Sequence, residues 1–218
     1  MSFEAKARAE ASVGVFLSDD LEGLYHLKKP CVSAAIWRRT PLPKFQTWID
    51  SLPADQLPTG RFVIPLGQIR SVLTEVMEIS RTPKCVQREI LIDDIGALAH
   101  VFAKMSQAKF VRLRLEVITD NKCSKFHIDA IKLRLVCTYR GPGTQYCFAG
   151  CEGPGDVFEV PTGSPILMRG TLWPTKGKTT ILHRSPPIKG RGETRLLLAL
   201  DPVDDPCKEP ESRYSSFH

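Results

Sequence analysis

Three residues in this chain carry side chains that together suit a metal ion. In Cys123-Ser124-Lys125-Phe126-His127-Ile128-Asp129, an imidazole and a carboxylate stand two positions apart. On an extended strand such positions share a face, so His127 and Asp129 are expected to aim a nitrogen and an oxygen at one point. His183, in Ile181-Leu182-His183-Arg184-Ser185, ends a second strand-like run and offers another imidazole. Two histidines and one carboxylate suit iron(II), with coordination positions left open for oxygen and a substrate. The plainer reading is a pair of hydrogen-bonded core histidines and an unrelated acid, because His-x-Asp arises often by chance.

Neighbouring residues bear on which metal and which ligand. Cys123 lies four residues before His127, and Cys147 and Cys151 repeat that spacing. Thiolate ligands would favour zinc(II), which makes Cys123 an alternative metal ligand, although no paired CxxC accompanies it. Arg195 opens an otherwise apolar run, Arg195-Leu196-Leu197-Leu198-Ala199-Leu200, and a buried guanidinium calls for an anion. Its plainer role is an ion pair with Glu159 or Asp201. Tyr139 and Thr144 flank Gly141-Pro142-Gly143, either as pocket donors or as the ends of a turn. A Ser-His-Asp hydrolase is disfavoured, since no GxSxG elbow is present.

The elements that must position these residues change character near residue 109. Before it, residues 1–30 read as an irregular arm with one short strand, and Cys31–Trp37 as a buried strand. Apolar spacing predicts helices over Lys44–Leu52, Leu66–Ser80 and Asp93–Met105, the last begun by Asp93 and Asp94 as capping acids. Pro53 and Pro58 bound a loop after the first helix. After residue 109, Val111, Leu113, Leu115 and Val117 alternate with Arg112, Arg114 and Glu116, the pattern of a half-buried strand. Further strands are expected at Ile131–Tyr139, Asp156–Val160, Pro165–Met168, Thr179–His183 and Thr194–Leu200. Short strands with regular turns suggest a jelly roll rather than an alternating βαβ sheet.

Composition sets outer limits. With 42% hydrophobic and 25% charged residues the chain can bury a core. A net charge of +6 is scattered, without a long basic run or basic helix, which argues against nucleic acid as a partner. Seven cysteines without an apolar leader point to reduced thiols and a cytoplasmic location, and no apolar stretch is long enough to cross a membrane. Nothing names the substrate as a small molecule or a protein.

The order His127-x-Asp129, His183, Arg195 resembles the iron(II)/2-oxoglutarate-dependent oxygenases, over roughly residues 112–201. The resemblance implies a double-stranded β-helix, Fe(II) held by His127, Asp129 and His183, and 2-oxoglutarate held through its distal carboxylate by Arg195; the loop reading adds Tyr139 as a candidate cofactor-binding residue. A closer resemblance rests on Ala35-Ile36-Trp37-Arg38-Arg39, Arg114-Leu115-Glu116-Val117, Phe126-His127-Ile128-Asp129, Thr138-Tyr139-Arg140-Gly141-Pro142-Gly143-Thr144 and His183-Arg184-Ser185-Pro186-Pro187. These stretches look like the bacterial domain-of-unknown-function family eighteen-twenty-six, some members of which come from zinc-homeostasis gene neighbourhoods. That leaves a zinc-binding, non-catalytic protein as the alternative. The expected fold is α+β. A single domain spans residues 1–218, with a mainly helical part (1–108) packed on a cupin-like jelly-roll core (109–201) and a tail (202–218).

Overall fold

The computed structural model describes residues 14–150, 153–174 and 179–208. The beginning of the expected arm, Cys151 and the end of the expected tail lie outside the described residues. The order of elements is β1 (Val15–Ser18), a 3-10 segment (Leu21–Lys28), β2 (Ala34–Trp37), α1 (Pro43–Ser51), β3 (Gly60–Pro65), α2 (Ile69–Ile79), α3 (Val86–Ser106) and β4 (Phe110–Ile118). There follow β5 (Leu133–Arg140), β6 (Gln145–Phe148), β7 (Phe158–Glu159), β8 (Pro165–Arg169), β9 (Ile181–Arg184) and β10 (Arg195–Val203).

Seven strands form one sheet in the order β1-β2-β8-β5-β10-β4-β3, and three form a smaller sheet, β7-β6-β9. All described strand pairs are antiparallel except β1 with β2. From β5 onward the chain passes back and forth between the two sheets. Strand alternation then sorts side chains onto two faces. Leu196, Leu198 and Leu200 of β10 join Leu113 of β4, Leu135 of β5 and the buried faces of α1, α2 and α3 in one core. Ala199, Val136 and Ile166 face the other way, against Tyr146 and Ile181 of the smaller sheet. The β4 arginines therefore lie on the face that looks toward the smaller sheet, not on a solvated back. No described helix is long and apolar enough to cross a membrane.

Several boundaries differ from expectation, each for a local reason. Helix α3 begins at Val86, with Cys85 as its extended cap residue, so Asp93 and Asp94 lie inside the helix and cap nothing. Pro83 lies in the connection before it, where the residue preceding proline is held out of the helical region. Asp94 instead accepts from Arg39 at 2.5 and 2.6 Å and from the Tyr139 hydroxyl at 2.6 Å. Residues 59–65, to which the sequence reading gives no element, contain β3, paired along β4 from Gly60↔Leu115 to Pro65↔Phe110. Its short run, Phe62-Val63-Ile64, has no alternation to reveal it. The tail does not begin at Pro202, since β10 pairs with β4 through Val203. Its ladder with β5 ends at Leu200, so the missing Pro202 amide falls where β10 has become an edge. Strands β1, β2 and β3 also bring the first half of the chain into the larger sheet.

Candidate metal centre

His127 and Asp129 do not sit on a regular strand. They lie in the connection between β4 and β5, where His127 forms an isolated bridge with His183 of β9. His127 N–H donates to the His183 carbonyl (3.1 Å), and His183 N–H donates to the His127 carbonyl (3.0 Å). This reciprocal pairing sets the two rings side by side, with centroids 4.5 Å apart. The His127 Nδ1 lies 2.8 Å from the Lys125 carbonyl oxygen. A carbonyl only accepts, so Nδ1 carries the proton and Nε2 keeps its lone pair for a ligand.

Asp129 is brought in from the exit of β8. Gly170 N–H donates to Lys132 O, Thr171 N–H to Asp129 O, and Leu172 N–H to Ile131 O. One ligating atom from each of His127, Asp129 and His183 then lies within 4.8 Å of the others. Gly170 is needed for this approach, since a Cβ there would stand 2.0 Å from Ile131 O and 2.7 Å from Asp129 O. Gly170→Ala is expected to push the segment away and weaken divalent-metal binding by about 10–100-fold, the range for outer groups that orient ligands. Calorimetric zinc(II) titration measures this. Unchanged affinity would mean that the segment gives way without moving the carboxylate.

The two oxygens of Asp129 are in different situations. Oδ1 meets Arg134 Nη1 at 2.6 Å. Oδ2 is 3.1 Å from His183 Nε2, yet it is buried and accepts no hydrogen bond. Burial alone would raise the Asp129 pKa, but the His183 contact and the charges of Arg134 and His127 outweigh it and hold the carboxyl at about 2. Oδ2 faces the His183 nitrogen, while His127 Nε2 lies 3.7 Å from Oδ1. Such a donor set fits a divalent cation, which would complete Oδ2 and both Nε2 atoms at once.

Behind the triad, Arg134 donates to Asp201 through Nε (2.6 Å) and Nη2 (3.0 Å), and Asp201 is 1% exposed. Arg112 and Arg114 approach the same carboxylate, each at 3.5 Å. The sequence pattern presents Arg112 and Arg114 as the wet side of a strand. What it lacks is the register Asp201↔Arg112, which puts the acid opposite them.

A cleft of about 70 Å³ opens on the triad, lined by Arg114, Thr144, Ser185, Leu197 and Ala199 among others. Arg195, fully buried, lies just behind it. Its Nε donates to Pro142 O (2.7 Å), Nη1 to Ser185 Oγ (3.1 Å) and Nη2 to Thr138 Oγ1 (3.2 Å). Neither expected partner pairs with it: Asp201 is engaged by Arg134, and Glu159 acts only through space. Burial pulls the Arg195 pKa down to about 10, partly offset by Glu159 and Glu116. A guanidinium has five N–H groups, so one on each terminal nitrogen is left over here.

One expected site residue lies elsewhere, and another lines the cleft without joining the triad. Tyr139 follows Thr138 on β5 and therefore points to the opposite face, where it packs in the helical core and donates to Asp94. It lines a larger cavity, about 220 Å³, with Arg39, Phe45 and Ile90 on the far side of the sheet from the triad. Cys123 lines the cleft, but it is exposed and contributes its carbonyl to Ser185 N–H rather than a thiol to the cluster. The soft ligand that would have favoured zinc is thus absent from the triad. Thr144 does line the cleft, at the end of the Gly141-Pro142-Gly143 turn.

A family model described as Protein of unknown function (DUF1826) matches residues 18–201. No curated protein matches the chain by sequence. Among solved structures, dioxygenase for auxin oxidation 1 from Arabidopsis thaliana, in its binary complex with 2-oxoglutarate, aligns over 91% of this chain and 95% of its own, with 9% identity and a TM-score of 0.54. The corresponding rice dioxygenase aligns over 88% and 83%, with 11% identity and a TM-score of 0.49. A 2OG-Fe(II) oxygenase family oxidoreductase from Burkholderia pseudomallei aligns over 88% and 97%, with 14% identity and a TM-score of 0.44. At these identities the likeness is one of fold, carried by the Arabidopsis structure.

Proposed function

This chain belongs to the family described as Protein of unknown function (DUF1826), and from that premise and the geometry of its site we propose an iron(II)- and 2-oxoglutarate-dependent oxygenase. The alternation of β5 to β10 between two sheets is then the body of a double-stranded β-helix, with the helices of the first half packed on its larger sheet. The observation that carries the proposal is the convergence of one ligand atom from each of His127, Asp129 and His183 within 4.8 Å, beside a buried Asp129 Oδ2 that accepts no hydrogen bond. Fold likeness to a 2-oxoglutarate-binding dioxygenase supports it, and so does the buried cation behind the cleft.

In this reading His127, Asp129 and His183 hold the metal, which supplies dioxygen activation coupled to loss of carbon dioxide from 2-oxoglutarate. The protein's part is positional. The Lys125 carbonyl keeps the His127 ring in one tautomer and orientation. Arg195, steadied by Thr138, Ser185 and Pro142, offers its two remaining N–H groups to the distal carboxylate of 2-oxoglutarate. Leu197, Ala199 and Val136 give the cleft an apolar floor that limits water around the reacting atoms.

Anaerobic titration with iron(II) and then 2-oxoglutarate tests the proposal through visible charge-transfer absorption. A band that requires both additions and vanishes in His127→Ala is the expected result. Absence of a band, with tight zinc(II) binding in a parallel titration, would overturn it in favour of a non-catalytic zinc protein.

A further inference from the structure

We propose that Arg134 is a positioning residue that dictates how Asp129 binds metal: it occupies Oδ1, so that only Oδ2 is available. The inference rests on the metal-site reading above and extends it to a residue outside the triad.

Three observations carry it. The Arg134 Nη1 to Asp129 Oδ1 distance is 2.6 Å, a charge-assisted contact at the short end of the normal range, while Oδ2 accepts no hydrogen bond. Arg134 is itself held at two points by Asp201, through Nε and Nη2. A planar guanidinium fixed at two nitrogens cannot swing away, so its third nitrogen is aimed. Asp201 is 1% exposed on the inner strand β10, and Arg134 stands on the neighbouring central strand β5. The aim is therefore set by the sheet rather than by a mobile loop, whereas Asp129 lies outside the regular strands.

The consequence concerns coordination number. A carboxylate with both oxygens free often binds a divalent cation through both and takes up two positions. With Oδ1 held by Arg134, Asp129 gives one oxygen, and the triad gives three ligands in total. Three positions then remain, enough for a chelating 2-oxo acid and one further ligand. Lysine could replace the charge of Arg134 but not its fork, because an ammonium is a point donor on a flexible stem.

The test uses zinc(II)-loaded full-length protein carrying 13C-labelled aspartate carboxylates, with infrared spectra of metal-loaded minus metal-free samples. The separation of the asymmetric and symmetric carboxylate stretches reports one-oxygen against two-oxygen binding. In the wild type a wide separation is expected, and in Arg134→Gln a narrow one, with zinc affinity retained within tenfold. Alongside, the 2-oxoglutarate concentration needed for the iron(II) band should rise at least tenfold in Arg134→Gln and recover in part in Arg134→Lys. Should Arg134→Gln fail to fold, Asp201→Asn, which loosens the clamp while leaving Arg134 in place, is expected to narrow the separation as well. An unchanged separation in folded variants overturns the positioning role. A narrow separation in the wild type overturns it too. A wild type that binds metal with a wide separation but gives no 2-oxoglutarate band sinks the oxygenase reading and leaves the Arg134 assignment standing.

Discussion

Asp201→Ala is expected to cost about 3–5 kcal/mol of folding stability, the range for removing one partner of a buried ion pair. The side chain is 1% exposed and receives two short hydrogen bonds from Arg134, with Arg112 and Arg114 each at 3.5 Å. Removing it leaves three guanidinium groups crowded on one face, with Arg61 across from Arg114 adding to the repulsion. Like charges directly opposite one another on a sheet are destabilising even when wet. Urea unfolding checks this, and for a slope of about 2 kcal/mol/M the midpoint should fall by roughly 1.5–2.5 M. Asp201→Asn keeps an acceptor for Arg134 and should lose less. A loss below about 1 kcal/mol for Asp201→Ala would mean that the arginines find other anions or water, and that Asp201 is not their anchor.

Arg195→Met should separate metal from co-substrate. Truncating one side of a buried, hydrogen-bonded charge contact costs about 2–5 kcal/mol of binding, so the 2-oxoglutarate dissociation constant is expected to rise by roughly 30-fold or more. Iron(II) affinity should stay close to the wild-type value, because Arg195 touches none of the three ligands: its partners are Pro142, Ser185 and Thr138. The folded state should tolerate the change, since methionine fills a comparable volume and removes a buried cation whose hydrogen bonds go to Pro142, Ser185 and Thr138 rather than to a carboxylate. The charge-transfer titration gives both constants in one experiment. If 2-oxoglutarate binds Arg195→Met as it binds the wild type, another group holds its carboxylate; Arg114, which lines the cleft, would be the next to test.

Much of this site could be read before any fold was known. His127, Asp129 and His183 stand out because imidazole and carboxylate are the usual ligands for a divalent metal, and the structure brings all three together. Arg195 stands out as a charge at the head of an apolar strand, and it is fully buried. The alternation in β4 and the helical spacing of α1 and α2 are local steric consequences of backbone geometry, so a short window of sequence contains them. The bounds of α3 were less legible, because Asp93 and Asp94 imitate a cap while the helix starts seven residues earlier, at Val86 after an extended Cys85.

What the chain alone could not determine depends on contacts between distant segments. Asp129 was expected to align with His127 by strand alternation, but the alignment comes from the bridge to His183 and from the close approach of Gly170. Tyr139 and Thr138 are adjacent in the chain and fall on opposite faces of β5, and only the packing of the helices on one face decides which of them meets Arg195. Arg134 and Asp201 lie 67 residues apart and carry no motif. Their pairing follows from strand order and register, which are set by burying apolar faces along the whole sheet, a sum over many residues that no short stretch of sequence contains.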